Sequence, residues 1–143
     1  MDELSLLLDL HLDGARQGPG GDAETRRAIE LSGLAGARGL RIADIGCGTG
    51  AQTRVLAREL GARITAVDFL TPFLDRLAAE ATRNGLGDRV ETLAASMDAL
   101  PFADGSLDAI WSEGAIYNMG FDAGIRAWRR FLKPGGILAV SEL

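Results

Sequence analysis

Short apolar runs alternate with longer segments of helical periodicity from residue 40 almost to the end of the chain. The apolar runs lie near 41–44, 63–67, 90–94, 107–111 and 137–141 and have the length of buried strands. Apolar residues recur every three or four positions along 51–60, 71–84 and 122–132, which predicts amphipathic helices. This alternation predicts an α/β fold, an open parallel sheet with right-handed crossovers and helices on both faces.

The first 39 residues have a different character. Residues 4–12 are apolar enough for a short helix, and 14–21 contain four glycines and one proline, too many for a regular element. This glycine-rich stretch is either a flexible connector or a lid loop that closes over a ligand. Asp22 is predicted to cap a helix that ends near Gly33. We therefore divide the chain into an N-terminal helical segment with a lid loop, 1–39, and a core, 40–143.

Composition narrows the class of protein further. The chain has 143 residues, enough for one domain, and a net charge of −5, which argues against a charge-dominated nucleic-acid surface. Its single cysteine permits a reducing compartment, and one cysteine with one histidine does not make the usual metal ligand set. Neither a basic leader nor an apolar run of about 20 residues is visible. The expected location is cytoplasmic, without membrane contact.

A glycine-rich loop stands between the first predicted strand and the next helix. The sequence Asp-Ile-Gly-Cys-Gly-Thr-Gly, 44–50, places glycine at every second position. Glycine is costly inside regular elements but allows tight turns and close approach of a ligand to the backbone. The loop therefore predicts a ligand site.

Polar residues follow the other predicted strands as well: Asp68, then Ser96 to Asp98, then Ser112 and Glu113. In an open parallel sheet, ligands bind beyond the carboxyl ends of the strands. Asp68 is suited to accept hydrogen bonds from a ribose diol. Asp98 is suited to an exocyclic amine, and Met97 to the face of an adenine ring. These residues predict a nucleoside site.

The charge of this edge favours one nucleoside cofactor over another. A dinucleotide brings a pyrophosphate, which is disfavoured by crowded carboxylates. S-adenosyl-L-methionine (SAM) has no phosphate and carries a sulfonium and an ammonium, which suit Asp44 and Glu113. Two alternatives remain open: a nicotinamide-dependent oxidoreductase and a SAM-binding module without transfer activity.

Five segments in order resemble the class I SAM-dependent methyltransferases: DIGCGTG (44–50), AVDF (66–69), DALPF (98–102), SLDAI (106–110) and LKPGG (132–136). The resemblance covers about residues 40–141 and implies a Rossmann-like sheet. SEGAIYNMG (112–120) is most similar to the branch that acts on small molecules. The implied reaction is direct transfer of the sulfonium methyl group to a small-molecule acceptor.

The resemblance also implies site residues. Asp44 and Gly46 would contact the methionine moiety, Gly48 and Gly50 the nucleoside, and Ser112 and Glu113 would face the methyl group. The full implied cofactor set is Asp44, Gly46, Cys47, Gly48, Gly50, Asp68, Phe69, Ser96, Met97, Asp98, Ser112 and Glu113. Cys47 is expected to be a packed residue and not a nucleophile. Glu113 and Tyr117 are the candidate catalytic bases for acceptors that need one.

The family fold has seven strands, whereas the pattern here predicts five. An apolar fifth strand at a sheet edge would expose unpaired backbone groups. We therefore expect either a chain truncated after this strand or a partner, such as a second copy in a homodimer, that covers the edge.

Overall fold

The computed structural model describes residues 21–141. The predicted helix at 4–12 and all of the predicted lid loop except Gly21 lie outside the described residues. The elements are α1 (Asp22–Ser32), β1 (Arg38–Ile45), α2 (Ala51–Glu59), β2 (Gly61–Asp68), α3 (Thr71–Arg83), β3 (Val90–Ala94), β4 (Leu107–Glu113), α4 (Phe121–Trp128) and β5 (Leu132–Ser141). Two short 3-10 turns, Ile116–Asn118 and Arg129–Phe131, flank α4.

Within the described residues, the five strands form one parallel sheet with the order β3-β2-β1-β4-β5. The first strand, β1, is central; from it the chain moves outward to β3 and then returns to the other side of β1. The strand order therefore reverses between β1 and β4, where open sheets bind ligands. The predicted α/β fold is confirmed.

Successive residues of the central strand pack into different cores. Ile42 packs in a cluster with Leu56 of α2, whereas its neighbour Ala43 packs in a second cluster with Trp128 of α4. Side chains alternate between the two faces of a strand, so a strand that is apolar at both positions must be covered on both sides. The continuous apolar run of β1 is explained by this two-sided burial.

The structure corrects several predicted boundaries. β4 continues to Glu113, so Ser112 and Glu113 are strand residues, paired with Val140 and Ser141 of β5. The α-helical part of α4 ends at Trp128 and a 3-10 turn follows. Asp22 is the first residue of α1, and Gly21 takes the N-cap position. Hydrogen bonds to β5 extend β4 beyond its apolar run. The spacing of apolar residues in the sequence does not indicate these bonds.

Gly50 allows α2 to start close to α3. It occupies the N-cap of α2 with a φ of 86°, in the left-handed region. A Cβ atom at this position would lie 2.5 Å from Cδ1 of Leu77, a fully buried residue of α3. Both the backbone conformation and the space therefore require glycine.

We predict that Gly50→Ala lowers the free energy of unfolding by roughly 2–4 kcal/mol, since left-handed strain and overpacking add. Gly105→Ala is the matched control, because Gly105 has a φ of 63° and open space around its missing Cβ. Its expected loss is about 1 kcal/mol, from backbone strain alone. Urea unfolding of both variants measures the difference, and equal losses would contradict close packing at Gly50.

Candidate functional site

A groove of about 480 Å³ runs along the carboxyl edge of the sheet, beside the point where the strand order reverses. Its lining comes from the ends of β1 and β2 and from the segments that follow β2, β3 and β4. The lining residues are Ile45, Gly46, Gly48, Val67, Asp68, Phe69, Leu70, Phe73, Ala95, Ser96, Met97, Asp98, Gly114, Ala115, Tyr117, Asn118 and Met119. The volume is in the range of small-molecule sites.

The glycine-rich loop is held against the end of β2 by its own backbone. The amides of Gly46 and Cys47 both donate to the carbonyl of Val67, at 2.8 and 3.0 Å. Gly46 has a φ of 72°, and a Cβ atom there would overlap the methyl group of Ala115. Glycine at 46 therefore lets the segment after β4 close onto the loop and narrow the groove.

Asp68 joins the loop to the start of α3. One carboxylate oxygen accepts from the amide of Gly48 at 2.9 Å, and the other accepts from the amide of Leu70 at 2.9 Å. The side chain is half-buried and lines the groove. A carboxylate has about four acceptor positions, so two partners leave capacity for ligand hydroxyl groups.

The segment after β3 brings three predicted residues to the groove. Ser96, Met97 and Asp98 all line it, and the Ser96 hydroxyl donates to the Asp98 carboxylate. The indole of Trp128 donates to the Met97 carbonyl at 2.8 Å, which ties this segment to α4. Phe69, after β2, also lines the groove and is 68% exposed.

Five predicted cofactor residues lie outside the groove lining: Asp44, Cys47, Gly50, Ser112 and Glu113. Cys47 and Ser112 are buried, and the Ser112 hydroxyl donates to the Ile45 carbonyl at 2.9 Å. Burial also raises the pKa of the Cys47 thiol, which opposes a nucleophilic role. Cys47 and Ser112 are therefore parts of the buried interior and do not line the groove.

Asp44 lies fully buried behind the glycine-rich loop. Its carboxylate accepts from Thr53 Oγ1 at 2.6 Å, and Gln52 Nε2 lies 3.5 Å from its other oxygen. Burial raises the pKa of Asp44 to about 7; the Thr53 hydrogen bond opposes this rise, and the charge of Glu113 adds to it. A buried carboxylate beside other acids favours any cation that enters the site.

The two candidate bases have different surroundings. Both carboxylate oxygens of Glu113 accept from Thr25 of α1, at 3.0 and 2.9 Å, and one also accepts from Trp111 Nε1 at 3.0 Å. Tyr117 is 55% exposed and lines the groove. The structure therefore brings Tyr117, and not Glu113, to the groove.

The candidate site residues do not include Ala115, Asn118 and Met119, which form a wall of the groove together with Gly114. Gly114 has a φ of 68°, and its amide donates to the Ser141 carbonyl at 3.0 Å. A glycine shortly after the apolar run that ends at Trp111 was the sequence signal for this turn. The groove also takes in apolar residues such as Phe73, which helical periodicity places on the apolar face of α3.

The charged side chains of the groove are both acidic. Asp68 and Asp98 line it, and within residues 21–141 no lysine, arginine or histidine does. The groove therefore fits a ligand without phosphate and with positive charge, as SAM is.

Comparisons with known proteins agree with this geometry. A family profile described as "Methyltransferase domain" matches residues 43–140. Demethylmenaquinone methyltransferase of Corynebacterium urealyticum is 37% identical over 119 residues, covering 82% of this chain and 46% of that protein. The crystal structure of the cyclase SpnF has a TM-score of 0.76 at 33% identity, over 85% of this chain and 44% of that one.

A third relative carries a cofactor product. Geranyl diphosphate C-methyltransferase from Streptomyces coelicolor, solved with S-adenosyl-L-homocysteine, has a TM-score of 0.69 at 26% identity, covering 79% of this chain and 43% of that one. The chain belongs to the methyltransferase domain family, a family of SAM-dependent enzymes. The predicted resemblance to class I methyltransferases of small molecules is confirmed, with SAM as the cofactor.

The chain spans less than half the length of the curated relatives it matches. Within the described residues, each helix is too short or too polar to cross a membrane.

We predict that stability depends on pH through Asp44. Because its folded pKa lies above its unfolded value, the folded state holds an extra proton, and ionisation on raising the pH disfavours folding. Between about pH 5 and about pH 8, the wild type should lose about 3 kcal/mol of unfolding free energy relative to Asp44→Asn.

Urea unfolding across this range measures the effect. Asp104→Asn is the control, since Asp104 is 80% exposed and its variant should follow the wild type. Parallel curves for Asp44→Asn and the wild type would show that the buried carboxylate does not titrate in this range.

Proposed function

We propose that this chain is the SAM-binding part of an enzyme that transfers a methyl group to a small-molecule acceptor. The observation that carries the proposal is the acidic, glycine-lined groove at the reversal of strand order. Membership of the methyltransferase domain family supports it independently.

Each wall of the groove has a part in this proposal. Asp68 binds the ribose hydroxyl groups, and Asp98 and Met97 meet the adenine beside Phe69. Gly46 and Gly48 let the cofactor approach the backbone, since a side chain at Gly46 would collide with Ala115. Asp44 stabilises the positive charge of the methionine end from behind the loop.

The reaction needs mainly positioning and exclusion of water. SAM supplies an electrophilic methyl group, and the chain holds it so that an acceptor atom can approach in line; such orientation is worth about 7–11 kcal/mol in favourable systems. Tyr117 is the residue we propose at the acceptor side, because its side chain lines the groove and is half exposed. The acceptors named for relatives include a demethylmenaquinone and geranyl diphosphate, which supports a small organic acceptor.

A cytoplasmic location and a partner at the outer edge of β5 belong to the same proposal. The single cysteine, buried at position 47, is compatible with a reducing compartment. Ile137 to Val140 of β5 are only half-buried, and a second copy or another chain would cover them.

The test is a calorimetric titration of the chain with SAM and, separately, with NAD. We expect SAM binding only, and Asp68→Asn should weaken it about 10- to 100-fold, because hydrogen bonds to a charged group are worth about 1.5–3 kcal/mol. Asp104→Asn, a charge-matched change at an exposed turn, should leave the affinity unchanged.

Each other outcome has a defined meaning. Binding of NAD alone would identify an oxidoreductase. SAM binding without transfer in a broad acceptor screen of the full-length protein would identify a binding module. Failure of SAM to raise the melting temperature would refute the proposal, since saturation at about 100 times Kd should add about 2.7 kcal/mol.

A further inference from the structure

The carboxylate of Glu113 lies where α1, β4 and the groove wall meet. It accepts hydrogen bonds from Thr25 Oγ1 and from Trp111 Nε1, and both donor residues are completely buried. Buried donors of this kind are expensive to leave unpaired. One side chain therefore satisfies two buried donors from different elements.

The chain turns into the groove directly after this carboxylate. Gly114 and Ala115 line the groove, and Ala115 sits against Gly46 of the glycine-rich loop. Glu113 is therefore the last residue before the wall formed by 114–119 approaches the loop. The turn is also bonded to β5, because the Gly114 amide donates to the carbonyl and hydroxyl oxygens of Ser141.

We infer that Glu113 is a positioning residue, which fastens α1 to the turn at Gly114 and so sets the width of the cofactor groove. The inference rests on the proposed function, because its readout is the binding of SAM. It also gives Thr25, a residue of the N-terminal helix, an influence on a groove that it does not line.

The chemistry of the carboxylate explains why glutamate is suited to this position. An ionised carboxylate only accepts hydrogen bonds, so both of its oxygens can face donors. Glutamine would turn an NH₂ group toward one donor. Valine in place of Thr25 keeps the branched shape and removes the hydroxyl. Serine keeps the hydroxyl and is the conservative replacement.

The test compares Thr25→Val, Glu113→Gln and the double variant by SAM titration at a temperature where all of them are folded. Each single variant should weaken binding about 5- to 20-fold. The double variant should be no weaker than Glu113→Gln, because both changes break one link. Thr25→Ser should restore binding to within about twofold of wild type.

Thr82→Val, at an exposed threonine of α3, is the matched control and should bind as the wild type does. Wild-type affinity in both Thr25→Val and Glu113→Gln would overturn the inference and leave the proposed function intact. Additive effects in the double variant would also overturn it, since they would mean that the two residues act separately.

Amide hydrogen exchange without any ligand gives a second readout. In Thr25→Val, exchange in residues 114–119 should accelerate although the change lies in α1, because the turn loses its fastening. Unchanged exchange there would refute the positioning role even if the chain failed to bind SAM, an outcome that would separately refute the proposed function.

Discussion

The hydrogen bonds from the glycine-rich loop to the end of β2 organise the whole site. Two successive amides, of Gly46 and Cys47, share the carbonyl of Val67, and the next glycine amide binds the Asp68 carboxylate. This folds the loop back across the carboxyl edge of the sheet before α2 begins. The groove is the space that remains between this loop and the segments after β3 and β4.

The loop also creates the electrostatic character of the site. It encloses Asp44 behind neutral partners, Thr53 and Gln52, while Asp68 and Glu113 add negative charge from neighbouring strands. Burial makes a negative charge on Asp44 costly, and a bound cation would relieve that cost. The same burial therefore favours a sulfonium or ammonium ligand.

The likeness to the cyclase SpnF shows that this architecture is shared by proteins with different reaction names. What distinguishes them must lie in the groove walls and not in the sheet, since function is carried by sites placed on folds. In this chain one such wall is 114–119, directly after Glu113, and another is the segment after β3, which Trp128 of α4 bonds at the Met97 carbonyl. Tyr117 is the one aromatic residue of 114–119, and its side chain is exposed.

The sequence alone determined the fold class, the order of strands and helices along the chain, and the location of the groove. It could do so because apolar periodicity and glycine spacing are local signals. It also selected Gly46, Gly48, Asp68, Met97 and Asp98, which all line the groove. Only the tertiary structure decided the direction of each side chain. Asp44 and Ser112 point into buried walls, and Glu113 points to Thr25, 88 residues away in sequence. Such a pairing depends on how α1 packs against α2 and β5, which no local pattern encodes.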